Sequence, residues 1–269
     1  MIIESVFLAL LTSSPVSVAH LRSPDTLSYR EISKGQIAIT APQGKVNMET
    51  LHDARIAVAR INADSAHAWY DALEISMKGP QGDLQPATDS ALHKEFVLRF
   101  DRRNHVQTLH APDFPKSFEN VTDLTRQFDD FFMPTPGRAL ALGTTWSDTT
   151  SYADTTKAGD IFHGTKAGMY KVVRDSVVSG RPVWIVSANV EEKLRNEGPG
   201  PQPGITAVST LAGSDTGVFY IDKSQGYMVG RHRTGTLTGE IRYEGLPQAV
   251  VLPQTMTYTN SIEFLQRQD

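Results

Sequence analysis

The sequence predicts a mainly β protein: one large curved antiparallel sheet, a half-barrel or a two-sheet sandwich, with one main helix near residues 120–132. Three observations predict it. Apolar and polar residues alternate with a period of two through most of the chain. The breaks between these runs have turn chemistry. One stretch alone shifts to helical spacing.

The alternation begins after Leu27. Ile37 and Ile39 alternate with Gln36 and Thr40, and Val46 and Met48 with Lys45, Asn47 and Glu49. Ile56 and Val58 continue the pattern. Trp69, Leu73, Ile75 and Met77 are assigned to one face, with Tyr70, Glu74 and Ser76 on the other. Phe96, Leu98 and Phe100 alternate with Glu95, Arg99 and Asp101. Strands of this kind have one wet face and are typically antiparallel. Turns are expected at residues 41–44, 79–82 and 102–104, from their Pro, Gly and Asn content.

The helical segment carries Val121, Leu124, Phe128, Phe131 and Phe132 on one stripe, with Asn120 as N-cap, Asp123 in the first turn and Pro134 ending the run. Asp129 and Asp130 are assigned to its solvated face. Strands then resume at Tyr170, Val172 and Val173, turn at Ser179-Gly180 and return through Val183 to Val186. Residues 196–204 read as a loop, being rich in Gly and Pro. A hairpin is expected from Val218–Asp222 and Tyr227–Arg233, and Leu237–Tyr243 and Val250–Phe264 close the chain. The total is about a dozen strands. An open sheet that wide curls or splits. The expected organisation is a signal-like or anchoring segment over 1–19 and a single β-rich domain over 20–269, with strand-rich halves at 27–111 and 144–266.

Length and composition bound the function. With 269 residues the chain can bury a substantial core. A net charge of -4 argues against nucleic acid, which requires clustered Lys and Arg. The absence of cysteine removes disulfides, thiolate nucleophiles, iron–sulfur clusters and cysteine-based zinc sites together.

The first twenty residues differ from the rest. Val6, Phe7, Leu8, Leu10 and Leu11 form a compact apolar run, followed by small residues around Ser17-Val18-Ala19. This reads as a short export signal, or else as an uncleaved segment that anchors the protein to a membrane surface or partner, or as an ordinary buried element. Glu4 stands where a signal carries Lys or Arg. The expected location is the periplasm or the extracytoplasmic membrane surface.

Motifs for chemistry are few. Asp215-Thr216-Gly217 matches the aspartic-protease triplet, but no second copy completes a dyad, and the triplet is read as a turn before a strand. Eight histidines are scattered without metal-ligand spacing. No catalytic, cofactor or metal residue is assigned and no cofactor is expected. The chain is read as a non-enzyme, although a hydrolase site assembled from separate strands stays open. The clearest basic group is Arg231 and Arg233, expected on one strand face, with Arg242 on the next strand. It would contact an anion or an acidic partner, or else stand as a solvated face.

Several stretches carry a resemblance: DARIAV at 53–58, FPKSF at 114–118, DLTRQFDDFF at 123–132, YKVVRD at 170–175 and MTYTNSIEF at 256–264. They resemble a group of uncharacterised exported bacterial β-rich proteins. The resemblance implies a non-catalytic interaction or scaffold protein, such as a membrane-extrinsic subunit stabilising a photosynthetic reaction-centre–light-harvesting complex. Partners would then be a membrane-protein complex and the membrane surface. A curved sheet with a helix also resembles lipoprotein-carrier half-barrels, by architecture alone. That likeness implies a carrier for a lipid or other hydrophobic ligand, seated between the sheet and the helix carrying Phe128, Phe131 and Phe132.

Overall fold

Long alternating runs separated by short turns leave each strand pairing with its sequence neighbour, and the computed structural model shows the outcome. It describes residues 26–268 except 63, 81, 116, 117, 119–123, 156–158 and 201. The apolar run at residues 6–11 lies outside the described residues. Twelve strands form one antiparallel sheet: β1 (Thr26–Ala41), β2 (Gly44–Arg60), β3 (Ser65–Gly79), β4 (Gly82–Leu84), β5 (Phe96–Phe100), β6 (Val106–His110), β7 (Thr145–Thr155), β8 (Ile161–Val178), β9 (Arg181–Pro199), β10 (Thr206–Asp222), β11 (Met228–Glu244) and β12 (Val250–Gln268). The order is β6-β5-β3-β2-β1-β12-β11-β10-β9-β8-β7, with β4 on β3. The first and last strands meet in the middle, and β6 and β7 are the edges. The sheet is not closed into a barrel.

Residues paired across an antiparallel ladder share a face. Leu27, Tyr29 and Glu31 of β1 therefore lie on one face with Val58, Ile56 and Ala54 of β2. This inner face is filled at its foot, the end where β1 begins. The β6–β7 connection crosses it there as a strap and buries Phe118, Leu124, Phe128, Phe131 and Met133. Edge-on aromatic contacts join strap to sheet: Phe128 to Phe96 at 4.8 Å and Tyr29 to Phe131 at 5.5 Å between ring centres.

Curling needs inner-face positions without side chains. A Cβ on Gly239 would lie 1.8 Å from the Thr210 carbonyl oxygen, so the backbones of β10 and β11 approach where only glycine fits. Gln254 on β12 consequently reaches across β11 to donate to Ser209 Oγ on β10 at 2.5 Å. On Gly235 a Cβ would meet the Tyr258 ring at 2.6 Å; the ring covers the bare position from the paired strand.

Several expectations are corrected. Residues 124–132 form no helix. Gln127, Asp129 and Phe131 donate to the carbonyls of Leu124, Arg126 and Phe128, a succession of four-residue β-turns. Pro134 has no N–H for the Asp130 carbonyl, and the Thr135 N–H goes to Arg103 instead of Phe131. The proposed cap at Asn120 falls outside the described residues. Trp69 does not share the face of Leu73, because a bulge at Asp71 shifts the register and puts Tyr70 inside. Residues 196–199 stay in β9. At Pro199 the strand has run past its last pairing with β8, so the missing N–H interrupts no ladder there. Asp215-Thr216-Gly217 is mid-strand in β10, not a turn.

Candidate binding trough and the charged belt beneath it

The rows of the inner face follow from the register. Above the aromatic foot they carry charge. Glu31 on β1, Arg231 and Arg233 on β11, Asp215 on β10, Glu192 on β9 and Lys166 on β8 face inward, and the strap adds Asp130. Arg231 and Arg233 are 6 % and 5 % exposed, Asp215 is 1 % exposed and Glu31 2 %. The Arg231 and Arg233 of the basic group thus face inward and meet internal carboxylates instead of solvent. Arg242 does not lie on the next strand. It is on β11 itself, at odd spacing from Arg231 and Arg233 and so on the outer face, paired with Glu240 at 3.0 Å.

Each belt charge has partners. Arg231 donates Nε to Asn260 Oδ1 at 2.8 Å and Nη1 to the Phe131 carbonyl at 2.9 Å, and it also holds the Asp130 carbonyl. These are the carbonyls that the missing helical turn leaves free. Asn260 and Gln127 donate to Glu31 at 2.6 and 2.7 Å. Arg233 pairs with Asp215 and donates to Asp130 at 2.7 Å. Lys166 lies 2.7 Å from Asp130 and 3.3 Å from Glu192, and Tyr258 donates to Asp215 at 2.8 Å. Burial opposes the ionised form of Asp130, but Arg233, Lys166 and Arg231 outweigh it and hold its carboxyl far below the usual range. Asp129 accepts from Thr108 Oγ1 at 2.9 Å and from Arg126 at 2.7 Å. Asp129 and Asp130 therefore tie the strap to the sheet, while the Asp130 side chain keeps 49 % of its surface in solvent. Chemically the belt is a set of ion pairs fastening the strap.

Beside it, His105 on the β5–β6 turn has Asp101 at Nδ1 (2.8 Å) and Asp148 at Nε2 (2.9 Å). No hydroxyl shares this ring in the manner of a nucleophile and base. Among the described residues no three His, Asp or Glu side chains are grouped to hold a metal ion. Between strap and sheet, among the described residues, lie cavities of about 40 and 30 Å³. Phe128 and Phe131 are fully buried, and Phe132 packs edge-on against Phe131 at 4.9 Å. Among the described residues these rings fill much of the space expected to seat a ligand.

Above the belt the inner face changes again. Met48, Ile37, Met256 and Leu237 form one row, and the next holds Val46, Ile39, Leu211 and Leu194, with Gln254 and Gly239 between Ile39 and Leu211. Leu252 and Ile241 follow, then Val250 and Tyr243. Leu237 is buried and most others are half-buried. Among the described residues no strap crosses this half. The outer face at the same height carries Lys45, Asn47 and Glu49, Thr255 and Thr257, and Thr236 and Thr238. Apolar inside and polar outside is the reverse of a membrane-spanning barrel, whose apolar band faces outward. No helix among the described residues is long and apolar enough to cross a membrane. Alternation showed that one face is apolar; it could not show that no other described residue covers part of that face.

No protein family matches the chain, and no curated protein matches it. Solved structures with some likeness include Neisserial surface protein A, at 9 % identity over 88 % of this chain and 97 % of that one, with a TM-score of 0.24. The OccK2 (OpdF) protein of Pseudomonas aeruginosa has 9 % identity over 89 % of this chain and 98 % of its own, with a TM-score of 0.27. A putative outer membrane lipoprotein-sorting protein domain from Vibrio parahaemolyticus has 8 % identity over 89 % and 84 %, with a TM-score of 0.14. Scores this low carry no argument about function.

Proposed function

We propose that this protein is a non-catalytic binding protein of the cell envelope whose upper trough takes an acyl chain of a lipid. The uncovered apolar rows from Met48–Leu237 to Val250–Tyr243 carry the reading. They run six residue steps along β12, from Met256 to Val250, or about 20 Å. That depth suits a long acyl chain lying parallel to the strands. The belt below offers no free charge to a polar head, so the chain enters tail first and the head stays at the mouth. Each methylene removed from water contributes about 0.8 kcal/mol. Met48, Met77 and Met256 give the wall adaptable side chains.

The test uses the full-length protein stripped of lipid and titrated with a fluorescent fatty acid. Saturable binding, displaced by oleate, is expected. Leu211→Asp and Ile39→Asp should weaken it at least tenfold while the circular dichroism spectrum is kept. Thr236→Asp on the outer face should leave it unchanged. No binding by the unmutated protein, or equal binding by inner and outer variants, sinks the reading.

A second reading is a membrane-extrinsic subunit of a larger assembly, of which the photosynthetic complex is one instance. It draws on the edge strand β7. Ser147 C=O points off the edge to Arg103, so Thr149, Ser151 and Ala153 present N–H and C=O groups the same way. An added strand could pair there. Copurification with a membrane complex after mild detergent extraction would favour it over the carrier reading.

A further inference from the structure

We propose that the rolled sheet is fastened along its lateral opening by a protonation-controlled clasp, in which Arg103 and His105 on the β5–β6 turn grip Asp148 and Ser147 on β7. The sheet has two ends, β6 and β7, with no ladder between them. At the foot, side chains bridge the gap. Arg103 Nη2 donates to the Ser147 carbonyl at 2.7 Å and lies 3.1 Å from Asp148 Oδ1. His105 spans the same gap, with Asp101 on its own turn and Asp148 across the seam. Both ring nitrogens face carboxylate oxygens, which only accept. A neutral imidazole has one N–H and can satisfy one of them; the imidazolium satisfies both. The geometry thus calls for the charged ring, and losing its proton sets a lone pair against a carboxylate on one side of the seam.

The other charges facing this spot are Asp129 and Asp130 from the strap, Lys166 on β8, and Arg231 and Arg233 on β11, around a cavity of about 40 Å³. Burial pushes the His105 pKa down, but hydrogen bonds to Asp101 and Asp148 outweigh it and hold the ring above its ordinary 6.5. The sign follows from linkage. A raised folded-state value makes the contribution complete below about pH 6.5 and lost as pH climbs through the folded value. The seam is therefore tight in mild acid and slack in mild base. This does not depend on what the trough holds.

The chain has no cysteine, so paired spin labels report the seam alone. Labels go on through Leu109→Cys on β6 and Thr149→Cys on β7, in the full chain, and distances are measured at pH 5.5 and 8.5. A narrow distribution at pH 5.5 that broadens or lengthens at pH 8.5 is expected. His105→Gln should be broad at both values and His105→Lys narrow at both. Imidazole nitrogen shifts, recorded in parallel, follow the charge of the ring. A ring that holds one charge across this range overturns the proposal. So does a titrating ring with unchanged distances, or a pH response that survives His105→Gln.

Discussion

Arg231 shows how a buried charge can hold a fold together. It is buried, and its donors fill carbonyls that Pro134 and the Thr135–Arg103 hydrogen bond leave without partners. Arg231→Met keeps the length and removes the donors. The two carbonyls, Asn260 Oδ1 and Glu31, whose Oε1 lies 3.6 Å from Arg231 Nη2, then lose a partner inside the protein, at a cost of about 3–5 kcal/mol. The urea midpoint should fall accordingly, with an unchanged slope showing that the same surface unfolds. Asp130 adds a pH dependence of opposite sign to that of His105. Its folded-state pKa is depressed, so its contribution is complete above the ordinary 3.8 and is lost as pH falls toward the folded value. Acidification below about pH 4 should lower the melting temperature of the protein more than that of Asp130→Asn. A parallel fall in both would refute the role given to Asp130. None of this was legible from the sequence. Arg231 and Arg233 read as a wet face because a charged residue is usually outside, and hydrogen-bond partners 18 to 103 residues distant leave no mark on local pattern.

At the scale of the element, the glycines of β10 and β11 set the curl. The predicted order of cost follows from what each new Cβ would meet. On Gly239 it strikes a carbonyl oxygen of the next strand, which moves only with the backbone. On Gly35 it meets the hydroxyl of Thr50, which can rotate away. Gly239→Ala should therefore cost about 1–3 kcal/mol and Gly35→Ala clearly less, read as shifts in the denaturant midpoint. Equal costs would mean that the close approach at Gly239 does not shape the sheet. Strands were the most legible elements, since each carries its own period. The strap was misread as a helix because Phe128 and Phe131 do sit on one side. A chain of four-residue turns spaces apolar residues much as a helix does, and Pro134 with Arg231 decides between them. Trp69 was misplaced for a related reason: one extra residue at Asp71 inverts every face assignment before it, and alternation contains no signal for that insertion.

For the whole molecule, one sheet does two jobs along its length. Its foot is closed by the strap, by aromatic packing and by the side-chain clasp between edges. Its mouth keeps an apolar inner face with polar residues outside. The proposed binding function belongs to this scale, since no single residue marks the trough; it exists because Ile39, Leu211, Leu194 and Ile241, from four separate strands, fall on adjacent rows.

The sequence by itself determined the β class, the antiparallel succession, most of the hairpin turns and the two-faced character of the strands. All of these arise between residues near one another along the chain, where side-chain period and turn chemistry act directly. Only the tertiary structure decided which strands flank which, that the charged residues of β8 to β11 meet inside, and that the strap covers one half of the inner face and, among the described residues, nothing covers the other. These depend on how far the sheet curls, and the curl is set by backbone approaches between strands that share no local pattern.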